Sequence, residues 1–194
     1  PTLKAAAPSP TAALLAQTPA AQISASVAER LANPYRDGQS GRFTTGPGKQ
    51  AEAFAHRALG DRAKNERMDF GPVENHAEIM TKTGIDLSPK PGRAGSPWPY
   101  RYAMDSDEVR HAIREHGDAG REAARGQIAV TSADFRHVRD VFQRPDNISA
   151  GGLSKRHKNA TLLFERKIGG IDYTVVGEIF AGKRRVGFLT MYKK

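Results

Sequence analysis

Along the C-terminal third of the chain, apolar side chains recur at every second position. Before it they recur at every third and fourth. Thr161–Ile168, Ile171–Phe180 and Arg184–Lys193 therefore read as three strands. Gly169-Gly170 is a two-residue hairpin turn between the first two, and Ala181-Gly182-Lys183 makes the next, giving an antiparallel meander. Upstream, Tyr100–Gly117 reads as a short strand running into a capped helix. Asp105 is the N-cap, Glu108 completes a capping box, Met104 and Val109 form a hydrophobic staple, and Gly117 ends the helix. Val109, Ala112, Ile113 and His116 share one face of that helix, while His111 lies on the opposite side near Glu108 and Glu115.

The remaining elements are weaker. Lys49 to about Met68 and Val73–Thr83 are helical candidates, the second ended by Gly84. Asp86–Pro99 is a Pro/Gly-rich loop whose Trp98 is placed to anchor it. Asp118–Arg125 reads as polar and loosely structured, and Gln127–Val130 as a short strand. Thr131 or Ser132 caps a helix carrying Phe135, Val138 and Phe142 on one face, and Pro145 stops it. Asp146–Lys158 reads as a basic, glycine-containing loop. The expectation is an α+β domain over 72–194, with N-terminal helices packed on a C-terminal antiparallel sheet of three to four strands. Residues 49–71 form a linking helix, and 1–48 a linker rich in Ala, Pro, Ser and Thr, with a weak helix near 24–32 and a turn-dense stretch over 33–48.

The meander fixes which side chains share a face. With a two-residue first turn, Arg166 faces Tyr173. With an even-numbered second turn, Tyr173 faces Tyr192. One face then carries Leu162, Phe164, Val175, Val186 and Phe188, with a polar row of Arg166, Tyr173, Tyr192 and Thr190 at one end. Lys167, Asp172, Thr174, Glu178 and Arg185 fall on the other face. The tyrosines equally suit plain strand formation, and the arginine can snorkel.

Composition narrows the chemistry. The 194 residues are only 38% hydrophobic and 7% aromatic, which leaves room for linker. There is no cysteine, so thiolate chemistry and disulfides are excluded. No apolar run approaches a membrane span. The start at Pro1, with no signal pattern, makes the chain an expected piece of something longer. The net charge is +9, and from Ala150 to Lys194 ten cations stand against three carboxylates, an excess of +7. Such clustering suits a phosphate backbone. The candidate substrate-binding residues are Lys155, Arg156, Lys158, Lys167, Tyr173, Arg184 and Arg185.

A helix histidine over a sheet face offering Arg, Thr and Tyr suits metal-independent RNA cleavage. One group takes the ribose 2′-OH proton, another serves the leaving 5′-oxygen, and cations with hydroxyls hold the charge developing on phosphorus. DNA lacks that nucleophile. The six histidines (56, 76, 111, 116, 137, 157) form no zinc-protease or deaminase signature, and there is no Gly-x-Ser-x-Gly. His111 and His116, five apart, are not on one helix face as metal ligands. This reading calls for no metal and no cofactor.

Several short motifs stand in order along the chain: Thr-Gly-Ile-Asp-Leu (83–87), Val-Arg-His-Ala-Ile-Arg-Glu-His-Gly (109–117), Val-Thr-Ser-Ala-Asp-Phe (130–135), Pro-Asp-Asn-Ile (145–148) and Phe-Leu-Thr-Met-Tyr-Lys (188–193). Together they resemble the phage-encoded barnase/EndoU/colicin/RelE-like (BECR) nuclease domains over residues 72–194. The resemblance implies a BECR-like fold and a ribonuclease toxin. It implies His111, His116, Thr190 and Tyr192 as site residues, with Arg166 or Lys167 as strand cation. It also implies RNA, tRNA among the candidates, as substrate, and an immunity protein or phage head proteins as partners. The place of action would be the cytoplasm of the target or host bacterium, with virion association before delivery. On sequence grounds His111, on the polar side, is assigned as base and His116, at the helix end, as proton donor. Asn33–Thr44 is similar to a turn of phage head-associated proteins, with Arg36-Asp37-Gly38 replacing the usual His-Asp-Glu. Two alternatives are a non-catalytic nucleic-acid-binding module of a phage head protein and an ADP-ribosyltransferase-type toxin using Arg166 and Glu178.

Overall fold

A computed structural model of the chain describes residues 46–60, 65–92 and 96–194. The expected linker over 1–45 and its weak helix lie outside the described residues.

The sheet has six strands. These are β1 (Arg67–Pro72), β4 (Arg101–Asp105), β5 (Asn147–Leu153), β6 (Ala160–Ile168), β7 (Ile171–Phe180) and β8 (Arg185–Lys193), in the order β1-β4-β8-β7-β6-β5. The lone parallel contact sets Arg101–Ala103 of β4 beside Arg185–Gly187 of β8. All other pairs are antiparallel. β2 (Lys90–Pro91) and β3 (Pro97–Trp98) make a separate two-residue ribbon. The helices are α1 (Pro47–Leu59), α2 (His76–Thr83), α3 (Ser106–His116), α4 (Ala119–Ala124) and α5 (Val138–Gln143), the last continuing a 3-10 turn over Ser132–His137. This is the expected α+β arrangement, enlarged from three or four strands to six.

The elements set by local chemistry fall where the sequence puts them. Gly169 and Gly170 take φ of 59° and 86°, the left-handed geometry a two-residue hairpin demands, and Ile168 pairs Ile171 across them. Thr131 and Asp134 form a reciprocal capping box. α3 starts at Ser106 behind Asp105, but the Asp105 carboxylate does not cap it. It receives Arg67 and Arg185 instead.

Three expectations are corrected. The helix expected over Lys49 to about Met68 ends at Leu59, and β1 begins at Arg67. The polar stretch after Gly117 holds the short helix α4. The basic loop over Asp146–Lys158 is mostly strand β5, whose irregular run of Ser, Ala and Gly lacks the two-residue period. Its Ile148 is buried opposite Phe164. Trp98 is 53% exposed, so it caps the Arg184 guanidinium 5.5 Å from its ring rather than filling the core.

One sheet face is covered by α1, α5 and the 3-10 turn. Phe54 of α1, Phe135, Phe142, Tyr102, Phe164, Phe188 and Met191 meet there, all buried. The Tyr102 ring stacks on Phe142 at 4.6 Å, and Phe164 meets Phe142 edge-on at 5.1 Å. Each fully buried side chain of this size contributes about 1.5–3 kcal/mol. α3 packs Val109 and Ala112 into the same core and lies against β8, so its polar flank overlooks the other face of the sheet.

Candidate active site

A single bulge builds the open face. β7 and β8 leave their turn in the expected register, with Phe180 opposite Arg185, Ile179 opposite Val186 and Gly177 opposite Phe188. Val176 is then opposite Thr190, so Leu189 is an extra residue in β8. Beyond it Thr174 faces Tyr192 and Tyr173 faces Lys193. The slip turns Thr190 and Tyr192 onto the face that also carries Thr161, Val176 and Glu178. The expected row of Arg166, Tyr173, Thr190 and Tyr192 is thereby split between the two faces.

A cleft of about 830 Å³ occupies this open face. Its floor is Thr161, Val176, Leu189 and Thr190. One wall is the polar flank of α3, with Glu108, His111 and Arg114. The other is the β5–β6 connection, from Gly151 to Arg156. Size and lining suit a ligand segment with a few fixed polar contacts. The Thr190 hydroxyl is buried at the floor without a hydrogen-bond partner among the described residues. A smaller basin of about 270 Å³ adjoins the cleft, sharing Asp107, Glu108 and Arg156 with it and adding His157, Phe180 and Arg185.

Hydrogen bonds fix the histidine rings. His111 Nδ1 lies 3.0 Å from the Arg114 guanidinium, which can only donate. In neutral His111 the proton therefore sits on Nε2. His116 Nδ1 is 3.2 Å from the buried Glu122 carboxylate, which Arg125 also holds at 2.7 Å. His157 Nδ1 is 3.1 Å from both oxygens of Glu178, which is 2% exposed. Facing carboxylates, each of these rings in its neutral form carries its hydrogen on Nδ1 and its lone pair on Nε2. Glu108 lies between the two basins. Burial pushes its carboxyl above the ordinary value, and the Glu178 charge adds to this, while His111 and Arg156 pull it back.

The structure gathers four of the sequence-derived candidates, His111, Thr190, Lys155 and Arg156, around the cleft. His116 and Tyr192 sit together further along α3, their rings 6.0 Å apart. Arg166 is on the covered face, where its guanidinium binds the Arg144 carbonyl. Tyr173 is buried there, bonded to Asp134 at 2.9 Å. Arg184 is 4% exposed and ties loops together through the Trp98 and Ser88 carbonyls. Arg185 lines the smaller basin, 3.1 Å from Asp105. Lys158 and Lys167 are exposed away from the cleft, the latter 3.4 Å from Asp172. Arg166 and Glu178, the pair an ADP-ribosyltransferase would use, point to opposite faces. Sequence reasoning missed Glu108 as a titrating group and the His157–Glu178 contact. The available signal was Ser154, His157 and Asn159, three hydrogen-bonding side chains within six residues, just before a strand that carries a carboxylate. Among the described residues no cluster of three or more His, Asp or Glu is arranged to hold a metal, and no helix is long and apolar enough to cross a membrane.

The cleft sets Arg110, Arg114, Lys155 and Arg156 against Asp107 and Glu108, with His111 on its wall, a lining that suits a polyanion. The chain belongs to the phage-Barnase-EndoU-ColicinE5/D-RelE like nuclease3 family, whose model matches residues 74–194. The match begins after α1 and β1, yet Phe54 and Phe70 from those elements are part of the same core. Comparison with curated proteins and with solved structures gave no significant match.

Proposed function

We propose that the domain is a metal-independent endoribonuclease, toxin-like in action, that seats an RNA strand in the cleft between α3 and the β5–β6 connection. The observation that carries this is the meeting of His111, Thr190, Lys155 and Arg156 around one cleft inside a nuclease-family domain. Lys155 and Arg156 hold backbone phosphates. Thr190 donates its hydroxyl to a phosphate oxygen as charge develops on phosphorus. His111, as an imidazolium once the exposed Arg114 guanidinium has moved off Nδ1, gives its Nε2 proton to the leaving 5′-oxygen. This reverses the base role assigned to it from sequence, because in the neutral ring Arg114 occupies the nitrogen a base would use. Such a protein acts on the RNA of a bacterial cell.

Total RNA and tRNA incubated with the protein in excess EDTA test this. Fragments ending in 2′,3′-cyclic phosphate are expected, with His111→Ala slower by about 10²–10⁴-fold. Intact RNA, or cleavage only when a divalent cation is restored, overturns the reading. Intact RNA that still shifts on a gel in a salt-sensitive way supports the binding-module alternative.

A further inference from the structure

We propose that His157, oriented by the buried Glu178 carboxylate, is the proton acceptor of this cleft, with the scissile phosphate held at Arg156 between His157 and His111. The inference rests on the ribonuclease reading and names the second proton carrier that such chemistry needs.

Three side chains of the β5–β6 connection converge on Glu178. Ser154 donates at 2.6 Å, Asn159 at 3.1 Å, and His157 Nδ1 at 3.1 Å. Ser154 and Asn159 both donate to Oε1 and hold the loop onto β7, while His157 also reaches Oε2. The third donor is different, because its ring is not enclosed. The His157 side chain is 37% exposed and opens into the smaller basin, while Glu178 behind it is shut off from solvent. The Phe180 ring, edge-on at 5.6 Å, limits the imidazole from another side. A carboxylate on Nδ1 sets the tautomer, leaves the Nε2 lone pair outward and stabilises the imidazolium once a proton arrives. A general base of the triad type is held in the same manner.

Position supports the pairing with His111. Arg156 lines both basins. Its one carboxylate contact, 3.5 Å to Glu108, is made by a side chain that is 71% exposed. The Arg156 end of this pair is solvated, so a phosphate can compete with Glu108 for its guanidinium. A phosphate at Arg156 then has His111 on the cleft side and His157 on the basin side. In-line displacement needs its two proton carriers on opposite sides of phosphorus. His157 Nε2 takes the 2′-hydroxyl proton as the O2′–P bond forms. The P–O5′ bond breaks, and the 5′-oxygen takes the Nε2 proton of the His111 imidazolium, which becomes neutral imidazole as His157 becomes imidazolium. The products are a 2′,3′-cyclic phosphate and a 5′-hydroxyl, and no water or cofactor enters.

Single-turnover cleavage of a short RNA in EDTA is the test, with wild type, His157→Ala, Glu178→Gln and Glu108→Gln side by side. RNA affinity and thermal unfolding are measured for each. His157→Ala is expected to be about 10²–10⁴-fold slower at unchanged affinity, and added imidazole is expected to restore part of the rate. Nitrogen-15 spectra should show the Nδ1–H tautomer of His157 in wild type and its loss in Glu178→Gln, a change that a loop-locking carboxylate alone would not produce. Wild type that cleaves while His157→Ala cleaves equally well overturns the proposal and leaves the ribonuclease reading standing. A collapse confined to Glu108→Gln also overturns it and makes Glu108 the acceptor. A loss in His157→Ala that imidazole does not relieve, with the tautomer unchanged in Glu178→Gln, reduces the pair to a structural clasp. Wild type that leaves RNA intact overturns both.

Discussion

Asp134 and Glu178 are both buried carboxylates on opposite sides of one sheet, and they use their hydrogen bonds differently. On the covered side Asp134 receives Lys193 at 2.8 and 2.9 Å, the Tyr173 hydroxyl at 2.9 Å and Thr131 at 2.8 Å. Lys193 and Tyr173 are themselves buried, and Thr131, the exposed cap of the 3-10 turn, ties that turn through Asp134 to the end of β8. On the open side Glu178 is even less exposed, but one of its partners, His157, reaches outward. The same chemistry gives a rivet in one place and a poised side chain in the other. What separates them is the ionisable partner: Lys193 is shut in, and His157 can be touched.

The largest expected effect breaks the closed cluster. Asp134→Ala should cost about 3–5 kcal/mol in denaturant unfolding, because Lys193 is left buried and uncompensated. The cleavage rate per folded molecule should not change. Glu178→Ala should cost less, about 1–3 kcal/mol, since His157 can turn to water and only Ser154 and Asn159 lose a partner. Equal costs for the two would erase the distinction.

Acid titration sharpens it. Burial pushes the Asp134 carboxyl up, but the bonds from Lys193, Thr131 and Tyr173 outweigh this and hold it below the ordinary value. Its contribution to stability is therefore complete above the unfolded-state value of about 3.9 and is lost as pH falls through the lower folded value. Asp134→Asn should flatten stability against pH in that acid window, as followed by thermal unfolding. The smallest effect is at the cleft wall. Lys155→Ala should weaken RNA binding and reduce the slope of log affinity against log salt by about 0.7, the release expected for one single-strand phosphate contact. An unchanged slope would remove Lys155 from the interface.

The parts of this molecule that were legible in sequence are those decided within a few residues. The Gly169-Gly170 hairpin, the stop of α3 at Gly117 and the Thr131 cap each depend on residues no more than five positions apart. β5 was not legible, because its Ser-Ala-Gly-Gly run has no apolar alternation and owes its pairing to β6. β1 was hidden behind the helical pattern of the preceding segment. The site was half legible. His111, Thr190, Lys155 and Arg156 were named and do meet, but Arg166 and Tyr173 were grouped with Thr190 on a continuous register. Leu189, the bulged residue, carries no local mark of its role, since the extra position exists only relative to β7. In the sequence His157 is one of six scattered histidines, because its partner Glu178 stands 21 positions away.

β8, formed by residues near position 190, fills the centre of the sheet between β4 and β7. Strands made earlier in synthesis must leave a gap for it, and the contacts that close this gap span more than 80 positions, as Arg101 with Arg185 does. Pairings that remote form late and slowly. A ribosome making this chain therefore carries an incomplete sheet, without the Thr190 floor of the cleft, until β8 has emerged. The order in which the chain is made works as a delay on its own chemistry and gives the producing cell an interval before the cleft exists.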